Sequence, residues 1–310
     1  MSEELLVRAR DIVRAYADKR AVDGLSLSLA RGEVLGFLGP NGAGKSTTLR
    51  IIAGVLAPHG GSVAIEGIDL LAEPRAARAR IGFLPETPPL NRELTVSEYL
   101  RIAAALHGLG GRRARAACDR VLALCDLGAV AGRLIGNLSK GFQQRVGIAQ
   151  AIIHDPPVVI LDEPTVGLDP RQIREIRALI GNLAAEHGVI LSTHILPEVQ
   201  QVCSRVAIIC DGRIVLDEAI GGGAARLRLR LARPPAEATI AAVPGLTGCA
   251  ASGEGEWLVE HNGDPAVAER LAAAAMRGDW GLLELAPAAD SLEERFLRLT
   301  YGGDAAEGAP

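Results

Sequence analysis

The run Gly39-Pro40-Asn41-Gly42-Ala43-Gly44-Lys45-Ser46-Thr47 constrains this chain more than any other stretch. It satisfies G-x-x-x-x-G-K-[ST] at every specified position. Ahead of it, Glu33-Val34-Leu35-Gly36-Phe37-Leu38 reads as a short buried strand, and Ser46 to Ala53 reads as the start of a helix. Strand, glycine-rich loop and helix in that order aim successive backbone N–H groups and a helix N-terminus at one anion. The glycines let the main chain curl at dihedrals that a side chain would penalise. Lys45 would reach β- and γ-phosphates, and the Ser46 hydroxyl would ligate Mg²⁺. Lys19, Lys45 and Lys140 are the only lysines, so a lysine in this slot is no accident of composition. The loop implies a bound nucleoside triphosphate. Alone, it does not say what for.

A length of 310 residues suits one large domain plus a small one, or two of medium size. Hydrophobic residues make up 48%, ample for a packed core, and with aromatics at 3% that core must be aliphatic. A net charge of −4 and a pI near 5.9 leave no electrostatic footprint for nucleic acid. Five cysteines (Cys118, Cys125, Cys203, Cys210, Cys249) form no C-x-x-C pair and no zinc spacing, so reduced thiols of a cytosolic protein are expected. Met1 to Arg10 carries acids and arginines with no apolar h-region, and no stretch has the 18 or so apolar residues of a membrane span. A soluble protein is expected, free to dock on a membrane partner.

Leu5 to Arg14 and Ala21 to Leu29 alternate in the manner of antiparallel strands beside the nucleotide core. A helix is expected from Ser46 to Leu56, ended by Pro58-His59-Gly60-Gly61. A strand at 62–65 and a helix at 74–80 follow, then a buried strand, Ile81 to Leu84, that leaves through Pro85 into Glu86. From about 87 to 154 the pattern is helical. Thr95-Val96-Ser97-Glu98 is a capping box opening one helix, Arg112 to Leu124 forms another, and Phe142 to His154 a third. Val158-Val159-Ile160-Leu161 is unalternated, as a parallel strand covered on both faces should be, and ends in Asp162-Glu163-Pro164. A helix over 171–186, a strand ending at His194, a helix over 196–203 and two strands complete a domain of residues 1–220.

This alternation specifies an α/β fold: a phosphate-loop NTPase core of parallel strands, an antiparallel strand subdomain and an inserted helical subdomain. Gly221 to Ala225 reads as a linker. Residues 226–301 then follow β-α-β-β-α-β order with an extra helix, which predicts a small C-terminal α+β module of ferredoxin-like type. The tail, 302–310, reads as disordered.

In such sheets ligands bind at the carboxyl ends of the strands. The phosphate loop, Glu86, Asp162-Glu163 and His194 all follow strand ends, which makes them one site. Asp162 is placed to hold Mg²⁺ through water. Glu163 could accept a proton from an attacking water or orient it. His194 could contact the γ-phosphate; His107, His154, His187 and His261 are expected to be ordinary surface residues, and His59 a solvated residue of its turn. Tyr16 is equally a half-buried strand-end aromatic or a platform for a purine ring. Leu138-Ser139-Lys140-Gly141-Phe142-Gln143 caps a helix with a hydroxyl and a glycine, a second anion-binding terminus. One triphosphate per loop leaves that terminus without work in its own subunit, so it should face a nucleotide held by another.

This set resembles the nucleotide-binding subunit of an ATP-binding cassette (ABC) transporter over residues 5–220. Walker A is Gly39 to Ser46, the signature Leu138 to Gln143, Walker B Val158 to Asp162 with Glu163 following, the D-loop Gly167-Leu168-Asp169, and the switch histidine His194. The resemblance implies two subunits paired head-to-tail around two ATP molecules, with Ser139 and Gly141 of one meeting the γ-phosphate held by Lys45 of the other. It places Asp169 at the nucleotide-binding interface, Glu86 at the metal-sensing position and Tyr16 against adenine. It departs from the commonest pattern twice: Lys140 replaces a glycine, and Glu86 stands where glutamine is usual. Both variants are similar to those of the export-type subfamily of drug- and sodium-efflux and gliding-motility ATPases, as is the ending Ser291-Leu292-Glu293-Glu294-Arg295-Phe296-Leu297. The implied partners are a second ATP-binding subunit, as a homodimer, and separate transmembrane permease subunits that hold this chain on the inner face of the membrane. They would dock near Glu86 and Arg92 to Tyr99. The alternative, a cassette ATPase acting on ribosomes or chromosomes, would call for long coiled-coil insertions or two cassettes per chain. A phosphate-loop kinase or GTPase would leave the signature unexplained.

Overall fold

The computed structural model describes residues 4–17, 19–220, 225–253, 255–287 and 292–301. They divide between two compact units, Met1–Ile220 and Gly221–Pro310. The first unit begins with β1 (Leu5–Tyr16), β2 (Lys19–Ala30), β3 (Val34–Leu38), α1 (Lys45–Ile52), β4 (Gly60–Ile65), β5 (Ile68–Asp69), α2 (Pro74–Arg78) and β6 (Ile81–Leu84). Helices α3 (Val96–Leu106), α4 (Gly111–Leu124) and α5 (Lys140–Ala151) follow. It closes with β7 (Val158–Asp162), α6 (Pro170–Ala184), β8 (Gly188–Thr193), α7 (Leu196–Val202), β9 (Arg205–Cys210) and β10 (Arg213–Ala219).

Two sheets result. The antiparallel one runs β2-β1-β4-β5, and the other β10-β9-β3-β8-β7-β6, parallel except for its β10 edge. Every residue of β3, β7 and β8 is buried, which is why these strands read as continuous apolar runs. Phe37 of β3, Leu49, Ile51 and Ile52 of α1, and Leu25, Leu27 and Leu29 of β2 share one core between the sheets. Helix α1 stops four residues short of the expected Leu56, because Gly54 turns left-handed at φ 69°. Helix α5 starts two residues earlier than expected, since the Ser139 side chain accepts the Phe142 N–H at 3.4 Å and fixes the start there.

The segment between β6 and β7 carries all of α3, α4 and α5. α5 comes back along β6 at backbone contact. A Cβ on Gly82 would stand 2.2 Å from the Ala151 carbonyl oxygen, and one on Gly147 2.6 Å from Leu84 Cδ1.

The second unit comprises β11 (Ala225–Leu231), α8 (Glu237–Ala241), β12 (Leu246–Gly253), β13 (Glu256–His261), α9 (Ala266–Arg277), β14 (Leu282–Pro287) and α10 (Leu292–Tyr301). Its antiparallel sheet runs β12-β13-β11-β14, so the first strand lies between the third and fourth. That interleaving is the ferredoxin-like arrangement. Leu229, Val259, Val267, Leu271 and Trp280 form a core of its own. The linker expected at 221–224 and the tail at 302–310 lie outside the described residues, and Ala225, expected to close the linker, opens β11.

All five thiols are free. Burial pushes Cys125 and Cys203 up to about 12, which keeps them protonated and inert at neutral pH. Among the described residues, no helix is long and apolar enough to cross a membrane.

Candidate nucleotide site

The parallel strands deliver their loops to one cavity of about 450 Å³. It is lined by Asn41, Gly42, Gly44, Lys45, Ser46 and Thr47 of the loop after β3, together with Glu86, Glu163, Val166, His194 and Ala21. Gly44 lies at φ 109°, and a Cβ there would meet the Ala21 carbonyl oxygen at 2.3 Å. Only glycine fits between β2 and the anion-facing loop. The Lys45 ammonium, 6% exposed, crosses the loop and donates to the carbonyls of Gly39 (2.7 Å) and Pro40 (3.3 Å). It stands 3.5 Å from Glu163 Oε1. Phosphate oxygens in the cavity would be stronger acceptors for it than either carbonyl.

Walker B and the neighbouring strand end are locked together by a serine that the sequence reading passed over. Ser192 Oγ donates to Asp162 Oδ1 at 2.6 Å and accepts the Glu163 N–H at 2.9 Å. That bond holds Glu163 in the left-handed region, φ 49°, a conformation that costs a residue with a Cβ on the order of 1–2 kcal/mol. It turns the Glu163 carboxylate into the cavity, where Oε2 accepts from His194 Nδ1 at 3.0 Å. The signal for Ser192 was present: a hydroxyl interrupting an otherwise apolar buried strand one residue before the polar exit.

Asp162 is fully buried and its Oδ2 has no hydrogen-bond partner, while its Oδ1 accepts from Ser46 Oγ at 3.2 Å. A buried, orphaned carboxylate oxygen beside a hydroxyl fits a hard cation that takes few protein ligands and keeps its water. Glu86 lies on the wall of the same cavity.

The other expected site residues lie elsewhere in the unit. Ser139 is exposed at the N-cap of α5, and Gly141 is buried in its first turn, where a Cβ would meet Gln172 of α6 at 2.6 Å. Lys140 lines a second cavity of about 420 Å³ that shares Glu86 and Val166 with the first. Asp169 is exposed and caps α6, its Oδ1 accepting from the N–H groups of Arg171 and Gln172 at 2.9 Å each. Tyr16 is 47% exposed at the end of β1, with the Arg14 guanidinium 5.1 Å from its ring centre. Of the histidines expected at the surface, His187 is buried with Nδ1 on the Pro156 carbonyl at 2.7 Å, and His154 stacks on His107 at 3.7 Å.

A parallel sheet that brings together a phosphate loop, an orphaned Walker B carboxylate and a glutamate–histidine pair defines a phosphate-loop nucleoside triphosphatase. The sequence profile of the ABC transporter family matches residues 22–166. The Nod factor export ATP-binding protein I of Paraburkholderia xenovorans is 36% identical over 217 residues, spanning 70% of this chain and 71% of that protein. The daunorubicin/doxorubicin resistance ATP-binding protein DrrA of Streptomyces peucetius is 34% identical over 304 residues, 95% of this chain and 92% of its own. A dimeric ATP-binding cassette solved in a post-hydrolysis state with ADP and Pi superposes with a TM-score of 0.64 at 27% identity, over 70% of this chain and 99% of that one. The chain belongs to the ABC transporter family, as one of its ATP-binding subunits for export.

Proposed function

We propose that this subunit hydrolyses ATP with Mg²⁺ in a head-to-tail dimer and drives separate permease subunits from the cytoplasmic face of the membrane. One observation carries the reading. Lys45, Ser46, Glu163 and His194 converge on one cavity, whereas Ser139 and Gly141, at the capped N-terminus of α5, are not among the residues that line it. A second copy is what can bring Ser139 and Gly141 to the γ-phosphate. The dimeric neighbour and the export relatives support the same arrangement.

In this reading the loop amides and Lys45 would hold the phosphates, and Ser46, Asp162 and Glu86 would hold Mg²⁺. When bound, the ion offsets charge on the β- and γ-phosphates. Glu163 accepts the proton of the attacking water, and His194, donating through Nδ1, fixes the carboxylate that does so. Tyr16 supports the adenine, and Asp169 orders the loop that faces the partner copy. Permease subunits dock near Glu86 and Arg92 to Tyr99.

Glu163→Gln keeps size and polarity but removes the base. The substituted protein should bind ATP, accumulate as an ATP-bound dimer on gel filtration, and turn over about 10²–10⁴-fold more slowly. Hydrolysis at the wild-type rate would remove Glu163 from this role.

A further inference from the structure

We infer that Glu198 is a positioning residue for hydrolysis, holding the two loops that carry Glu163 and His194 in register. The inference rests on the roles just proposed for those two residues. Glu198 lies on α7, 1% exposed, and is one of few buried carboxylates in the first unit. A single oxygen, Oε2, accepts from Thr165 Oγ1 at 2.9 Å and from Thr193 Oγ1 at 2.8 Å. Both threonines are buried, at 3% and 0% exposure. Arg177 of α6 stands 3.7 Å from the other oxygen, Oε1, and balances the charge.

The two threonines are placed with respect to the chemistry. Thr165 follows Glu163 by two residues, and its carbonyl accepts the Leu168 N–H at 3.2 Å, opening the turn toward Asp169. Thr193 immediately precedes His194, and its Oγ1 accepts the Ile195 N–H at 3.0 Å, closing the turn that presents the imidazole. The two loops leave adjacent strands, β7 and β8, and Glu198 ties them beyond the last paired residues, Asp162 and Ser192. The 3.0 Å contact between Glu163 and His194 depends on that tie.

A buried carboxylate left with unpaired partners is costly, so packing alone would favour an apolar residue here. Retaining a charge that clamps both loop roots makes sense where their separation matters. A displacement near 1 Å at a catalytic group can cost about 10²-fold in rate.

The test compares full-length wild type with Thr165→Val/Thr193→Val, Thr165→Ser/Thr193→Ser, Glu198→Gln and Glu163→Gln, with thermal melting of each. The valine pair, close in shape but without hydroxyls, should lose about 10- to 100-fold in kcat with KM for ATP within about threefold. The serine pair should return to within about threefold of wild type, because it restores both donors. Glu198→Gln, which keeps an acceptor but loses the balance with Arg177, should fall between them. Adding the valines to Glu163→Gln should cost no further turnover, since residues acting through one group are not additive. Wild-type kcat in the valine pair would overturn the inference. So would a serine pair as slow as the valine pair, or a loss lying entirely in KM. If Glu163→Gln itself hydrolyses normally, the base assignment has failed instead; if it is inactive while the valine pair is not, only the role of Glu198 has failed.

Discussion

Gly44 shows how little freedom a single position near the phosphates can have. Its φ of 109° and the Ala21 carbonyl oxygen 2.3 Å from a would-be Cβ exclude any side chain. Gly44→Ala should therefore abolish ATP binding in an equilibrium titration and lower unfolding stability by about 1–3 kcal/mol. His154 offers a second residue-scale expectation. Burial, with a smaller contribution from His107 stacked on it, pulls its pKa down from 6.5 to about 4. The unfolded chain then takes up this proton first, so the stability His154 contributes is present above pH 6.5 and lost as the pH falls toward 4. Melting temperatures between those values should drop less steeply in His154→Phe, which keeps the stacked ring but cannot titrate. An equal slope in the two proteins would exclude His154 as the cause.

At the scale of elements, caps decide where helices begin. Thr95 and Glu98 bond reciprocally at the start of α3, with Glu98 N on Thr95 Oγ1 at 3.3 Å and Thr95 N on Glu98 Oε2 at 2.9 Å. Thr95→Ala should cost about 1 kcal/mol in urea denaturation and Thr95→Ser a small part of that. This box was legible because its signal lies within four consecutive residues. The start of α5 was less so, since Gly141 is a poor helix former and the Ser139 cap draws it into the first turn. The strand β5 was not legible at all: two residues, Ile68 and Asp69, are held by pairing with Ile65 and Ala64 rather than by any pattern of their own. Within the site, motif spacing located Lys45, Asp162, Glu163 and His194. It missed Ser192, Thr165, Thr193 and Glu198, whose contacts join residues about thirty apart or sit in one buried turn.

At the scale of the whole molecule, each unit closes a core from its own residues, the first around Phe37 and Leu49, the second around Leu229 and Val259. A fragment of residues 1–220 should unfold cooperatively and bind ATP as the full chain does, measured by denaturation and nucleotide titration. A fragment that is molten or blind to nucleotide would show that the first core is incomplete alone. Ser139→Arg tests the partnership between copies. It should abolish hydrolysis yet leave ATP binding by single subunits intact, and its activity should reappear in part when mixed with Lys45→Ala, because such a pair assembles one intact composite site. The contact of α5 with β6 gives that partnership a dimension. Gly82 lets the end of the helix meet the strand backbone to backbone, and Gly147 leaves room for the Leu84 side chain beneath the helix. The twelve residues of α5 then work as a gauge rod of about 18 Å, seated on the sheet and ending at Ser139. Whatever reaches toward a neighbouring subunit is measured off the same strand layer that holds the first subunit's own nucleotide loop, and one methyl group at either glycine would reset the gauge.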